Sequence, residues 1–203
     1  MPVSARVPKG HDDLSPDWRT FRGLVDAITT ALATDAADLE IAALDGRPIG
    51  RVDLADARRK LAATSWVLTT RMPRNGGLGA MHSDYRSGWK PSAWRSATAR
   101  FHVQGFREYA ALGEPGLCYL VLHELAHVTR LGLLVQNACW RRHLRGGGAA
   151  DGAAYAATPY YVYNEQVANE IVRVLAGWIG VDVLDNPTHG SPPTPLKLGI
   201  NTA

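Results

Sequence analysis

Apolar residues recur at helical spacing in Trp18, Phe21, Leu24, Val25, Ile28 and Leu32. That period predicts an amphipathic helix with one buried stripe. Ser15-Pro16-Asp17 supplies its start: a capping hydroxyl, a proline in the first turn and an acid near the positive end of the helix dipole. Thr34 to Ala43 reads as a continuation or a second short helix. Leu44 to Gly50 reads as a turn between short extended pieces. Leu54 to Ala63 predicts a helix with Asp53 as its cap. Trp66 to Thr70 is rich in β-formers and predicts a first strand. Pro73 to Gly79 reads as a glycine-rich loop or hairpin, and Met81 to Ala93 as a surface loop anchored by aromatic residues. From Trp94 to Val103 the alternation of Ala99, Phe101 and Val103 with Arg100 and His102 predicts another strand. An exposed edge there would suit an extended peptide.

Phe106 to Leu112 predicts a short helix. After Gly113-Glu114-Pro115-Gly116, the apolar run Leu117 to Leu122 leads into a buried helix expected to reach about Arg130 or beyond, with Gly132 letting the backbone turn. Leu133 to Leu144 predicts a further helix. Arg145 to Thr158, with its three consecutive glycines, reads as a long loop, either lid or disorder. Val167, Ala168, Ile171, Val172, Leu175, Trp178 and Ile179 outline a second amphipathic helix starting near Tyr163. The pattern predicts one α+β domain over residues 17–185, a small mixed sheet packed on a helical core. A loose N-terminal arm, 1–16, and a Pro-rich extended tail, 186–203, flank it.

Composition narrows this only slightly. The chain has 203 residues, 46% hydrophobic and 20% charged, enough for one domain with a real core. The net charge of +3 comes from scattered arginines. The densest groups, Arg58-Arg59-Lys60 and Arg141-Arg142-His143-Leu144-Arg145, are too short for a nucleic-acid reading and suit solvated helix faces. No stretch approaches the roughly 20 apolar residues of a membrane span. The first residues lack the apolar core of a signal peptide, so a cytoplasmic location is expected. Two cysteines make no disulfide framework, and Cys118 reads as a small core residue. Nothing in the pattern indicates the oligomeric state.

Chemistry concentrates at His123-Glu124-Leu125-Ala126-His127. Residues four apart share a helix face, so His123 and His127 can direct imidazole nitrogens at one ion. Zinc takes such nitrogens at about 2.0–2.1 Å in tetrahedral geometry, and a catalytic site usually has three protein ligands. Glu124 lies about 100° further round the helix, where it can act as a general base beside the metal. Downstream, Glu165 can complete a His-His-Glu set, and Asn169, four residues on, can accept a hydrogen bond from the other ring N–H of a ligand His. Asp151 is a rival third ligand. An oxyanion forming at such a site needs a donor. Tyr160, Tyr161, Tyr163 or His143 could serve, and Glu124 and Tyr163 stand as the catalytic pair. The plainer alternatives are two histidines on an ordinary helix, a carboxylate placed by a helix dipole, and tyrosines that only pack.

The motif resembles that of the zincin metallopeptidases. The metzincin continuation is ruled out, because Arg130 and Leu133 stand where that pattern has Gly and His. Asn164 and Glu165 are similar to the start of the gluzincin N-E-x-x-x-D, with Asn169 in place of the Asp. Glu165-x-x-Ala168-Asn169 also looks like the E-x-x-A-N of small ImmA/IrrE-type metallopeptidases. Asp151 with Tyr155 is loosely similar to the aspzincin third-ligand segment, one residue too long. The resemblance covers two helices. It implies a zincin-like fold, a Zn2+ cofactor, a peptide or protein substrate, and hydrolysis by metal-activated water with Glu124 as base. Two other readings share these residues: a catalytically inactive zincin-fold binding protein, and an effector or toxin peptidase acting on a foreign target.

Overall fold

The computed structural model describes residues 6–32, 39–42, 48–71, 79–85 and 91–184. The expected loop around Asn75-Gly76, the Pro-rich tail and the first five residues of the expected arm lie outside them. The rest of that arm is packed rather than loose. Val7 lies against the core, Leu14 is buried in a 3-10 turn over Asp12–Leu14, and Asp13 pairs with Arg107 at 2.7 Å.

Helix α1 (Ser15–Ala31) grows directly out of that turn, so its start is not capped by the Ser15 hydroxyl. Its predicted stripe is buried. Trp18 stacks on Phe21 at 5.0 Å between ring centroids, and Phe21 meets Trp66, Phe101 and Phe106 edge-on at 5.4–5.7 Å. This aromatic cluster ties α1 to the sheet and to the helix after it. Truncating Phe21 there would cost about 3–5 kcal/mol.

The main sheet has three strands, β3 (Thr64–Thr69), β4 (Gly79–Tyr85) and β5 (Trp94–His102), in the order β3-β5-β4. β5 is parallel to β3 and antiparallel to β4. Two expectations change here. The strand from Trp94 was expected at an exposed edge, but it is central. The edges of the described sheet are β3 and β4, and β4 was expected to be loop. Two polar residues of β4 are satisfied laterally by its neighbour: Trp94 Nε1 donates to Ser83 Oγ at 3.2 Å, and Ser96 Oγ donates to Asp84 Oδ2 at 3.2 Å. A second pair, β1 (Leu39–Ala42) and β2 (Pro48–Val52), is antiparallel with Leu39 opposite Val52. The helix expected up to Ala43 therefore gives way to a strand at Leu39, where pairing with β2 overrides an Ala-rich local preference.

Helix α2 (Leu54–Ala62) is capped as expected, with Asp53 Oδ1 accepting from Asp56 N at 2.8 Å. After α3 (Val103–Ala110) comes α4 (Gly113–Val128), the centre of the fold. Leu117 through Leu122 are buried on every side, the signature of a core helix. α4 packs against α1, α2, α3, α5, α7 and β4.

α4 stops at Val128, earlier than expected. Buried Thr129 makes an elbow: its hydroxyl donates to Ala126 O at 2.8 Å and accepts from Gly132 N at 3.1 Å. Helix α5 (Arg130–Arg145) leaves at 65°. Gly132 is needed for closeness rather than bending, since a Cβ there would fall 2.0 Å from Ala126 O. The expected flexible loop after α5 contains a short helix, α6 (Gly152–Ala156), with Tyr155 buried. Helix α7 (Pro159–Ile179) begins earlier than predicted, with Thr158 as its cap and Pro159 in its first turn. Among the described residues the architecture is mixed α+β, seven helices around a small mixed sheet. Among the described residues no single helix is long and apolar enough to cross a membrane; α4 and α5 pass that test only when taken together across their bend.

Candidate metal centre

α4 and α7 cross so that three side chains converge. His123 Nε2 and His127 Nε2 are 3.3 Å apart. Glu165 Oε2 lies 3.2 Å from the first and 3.5 Å from the second. Tetrahedral ligands at about 2.0–2.1 Å from an ion sit about 3.3–3.4 Å from one another, so the triangle matches a divalent metal of that size. Among the described residues these three form a group able to hold a metal ion. The donor set, two imidazoles and a carboxylate, suits zinc and other first-row ions.

The sequence-derived ligand set is thus brought together, with adjustments. Glu165 lies in the second turn of α7, not the first, so the dipole of the helix end does not explain its place. Asp151 is exposed and caps α6, its Oδ2 accepting from Ala154 N at 3.2 Å, so it is not a ligand of this group. Glu124 is 7% exposed and stands outside the triad. The first residue of β4 presses on it: a Cβ on Gly79 would meet Glu124 Oε1 at 3.1 Å and the Phe101 ring at 3.3 Å. Any other residue there would require the carboxylate or the ring to shift by a few tenths of an ångström.

The electrostatics follow from burial and convergence. Burial pushes the Glu124 carboxyl up, with the two histidines opposing and the Glu165 charge adding to it. Burial also raises the cost of charging Glu165, but the facing imidazoles outweigh it and hold its carboxyl well below the usual range. For His127, burial disfavours the cation, yet the Glu165 carboxylate prevails and lifts the imidazole to about 9. Two basic nitrogens and a carboxylate that face one another favour a positive charge between them, proton or metal.

The surrounding residues sort differently from expectation. Tyr161, one turn before Glu165, hydrogen-bonds that carboxylate and lies in the field of Glu124. Burial and these two negative groups drive its phenol pKa upward. Burial raises the Tyr163 phenol pKa, with Cys139 adding to it. His143 is buried, its Nε2 bonded to Ala149 O at 2.8 Å, and a Cβ on Gly148 would collide with its ring. It pins the loop after α5 and faces no oxyanion position. His102 caps α3, its Nδ1 accepting from Gln104 N at 3.3 Å. Cys118 and Cys139 are free and buried; burial pushes their thiols up to about 11 and about 12, so both behave as core residues.

One contact was missed in the sequence. The Tyr119 hydroxyl lies 3.1 Å from His123 Nδ1 and donates to Asn169 Oδ1 at 2.9 Å. Asn169 does serve His123, but through this phenol. Tyr119 sits four residues before His123, on the same helix face, and that spacing was the available signal.

Comparison with known proteins adds no relative: no family model, no curated protein and no solved structure matches the chain.

Proposed function

We propose that the chain is a zinc-dependent metallopeptidase with a zincin-like arrangement of motif helix and sheet. The observation that carries this reading is the triangle of His123, His127 and Glu165 donor atoms, with edges of 3.2–3.5 Å, beside a buried carboxylate that is not a ligand.

His123, His127 and Glu165 would hold the metal. When bound, zinc supplies a Lewis acid and an acidified water. The chain's own groups do the rest. Glu124 is buried, so it takes a proton readily and can pass it to a leaving amine. Gly79 lies beside its carboxylate, where an added Cβ would come within 3.1 Å of Oε1. Tyr161 hydrogen-bonds the Glu165 carboxylate and lies in the field of Glu124, so its phenol is the candidate donor to the developing charge. The substrate is a peptide or an extended segment of a protein.

The test compares the zinc-loaded parent with Glu124→Gln on a pool of unfolded peptides, with cleavage read by mass spectrometry. The expected result is cleavage by the parent and a loss of about 10²–10⁴-fold in the variant, with zinc retained. Wild-type rates in Glu124→Gln would contradict the assigned base. Zinc binding without cleavage by the parent would point to a metal-holding binding protein.

A further inference from the structure

We infer that Tyr119 is a positioning residue for the metal centre: its hydroxyl relays between His123 and Asn169, and so sets which imidazole nitrogen of His123 faces the metal. This inference deepens the reading of the His123, His127 and Glu165 site and rests on it.

The hydroxyl has one proton and donates it to Asn169 Oδ1 at 2.9 Å. Toward His123 Nδ1, at 3.1 Å, it therefore offers a lone pair. Nδ1 must then carry a proton, which leaves the Nε2 lone pair directed into the triad. A ligand imidazole is oriented by the bond its other nitrogen makes. Here that bond is relayed, because a neutral amide on α7 reaches the ring through a phenol on α4. The ring geometry supports the same role. Tyr119 stacks on His123 at 5.1 Å and 24°, and on Tyr109 at 5.6 Å and 9°. Held on one side by Tyr109, the Tyr119 ring fixes the plane of the imidazole as well as its tautomer. The relay also ties α4 to α7, so the helix bearing two ligands and the helix bearing the third share one polar joint.

The test uses the full chain and zinc itself, with dissociation constants from competition with a chelator. Tyr119→Phe keeps the stack and removes only the relay. Zinc affinity is expected to fall about 10–100-fold, the usual effect of losing such a partner. Asn169→Leu should weaken binding by a similar factor. The double variant should be little worse than either single change, because both remove one relay. In the zinc-loaded parent, NMR should show a slowly exchanging Nδ1 proton on His123 that is lost in Tyr119→Phe. A purely packing role would not move that signal. Unchanged affinity and an unchanged ring proton in Tyr119→Phe, in a parent that binds zinc, would overturn the relay and leave the three ligands standing. A parent that binds no zinc would overturn the metal reading itself, and the relay with it.

Discussion

Two buried polar clusters in this protein are satisfied in opposite ways. In the first, Asp56 carries the charge. Its Oδ1 accepts from Arg59 at 2.5 Å, and its Oδ2 accepts from Lys60 at 2.8 Å and from the backbone N–H of Arg130 at 2.9 Å. Lys60 is 1% exposed and lies over the Trp94 ring. Donors and acceptors match, so the cluster closes on itself and clamps α2 to the elbow after α4. In the second, His123, His127 and Glu165 bring two imidazole nitrogens and a carboxylate oxygen together, all acceptors unless protonated. That cluster can close on imidazole N–H groups donating to Glu165, or on a cation that takes all three lone pairs. A buried charge with its partners beside it stabilises a fold; converging lone pairs mark a place for something the chain does not itself provide.

The largest effect that separates the two should come from Asp56→Ala. It strands a buried ammonium and frees the first N–H of α5, and should cost about 3–5 kcal/mol of stability by chemical denaturation. Folded molecules should still bind one zinc. Loss of zinc at unchanged stability would erase the distinction between the clusters.

The second effect is a pH dependence confined to the metal-free site. The His127 imidazole is raised from 6.5 to about 9 in the fold. Its proton therefore stabilises the folded state fully below about 6.5, and that contribution is lost as pH rises through about 9. Glu165 is depressed below 4.5, so its contribution is present above that value and lost as pH falls through its lower folded value. Chelated protein should thus lose stability between pH 6.5 and 9, read by thermal melts. Zinc displaces the His127 proton, so apparent affinity should climb about tenfold per pH unit up to that limit. A chelated protein with flat stability across the window would contradict the convergence.

The smallest effect belongs to the elbow. Thr129→Val keeps the shape and removes both hydroxyl bonds, and should cost about 0.5–2 kcal/mol, as lost helix caps do. Zinc affinity should change little, since Asp56 still holds Arg130. A large fall in affinity would show that the bend, rather than α4 itself, aims His127.

Much of this was legible in residue spacing. His123 and His127 lie one turn apart, as do Glu165 and Asn169, and such pairs survive errors of several residues in helix boundaries. What failed depended on those boundaries. Starting α7 at Tyr163 hid that Tyr161 is one turn before Glu165 and hydrogen-bonds it. Thr158-Pro159 was the unread signal. Tyr119 was concealed inside an apolar run and passed as packing. β4 was unreadable because it shows no apolar alternation, and its Ser83 and Asp84 bond across to β5 instead. Asp151 stood as a rival ligand because local sequence does not distinguish a capping acid from a metal carboxylate; only burial separates exposed Asp151 from buried Glu165.

The most direct test of the central claim is the metal content of purified protein, beside His123→Ala, Glu165→Ala and Asp151→Ala, each checked for folding by circular dichroism. One zinc per chain in the parent and in Asp151→Ala, with none in the other two, is the predicted result. A folded parent without stoichiometric metal after incubation with zinc, or a Glu165→Ala variant that keeps its full complement, would contradict it.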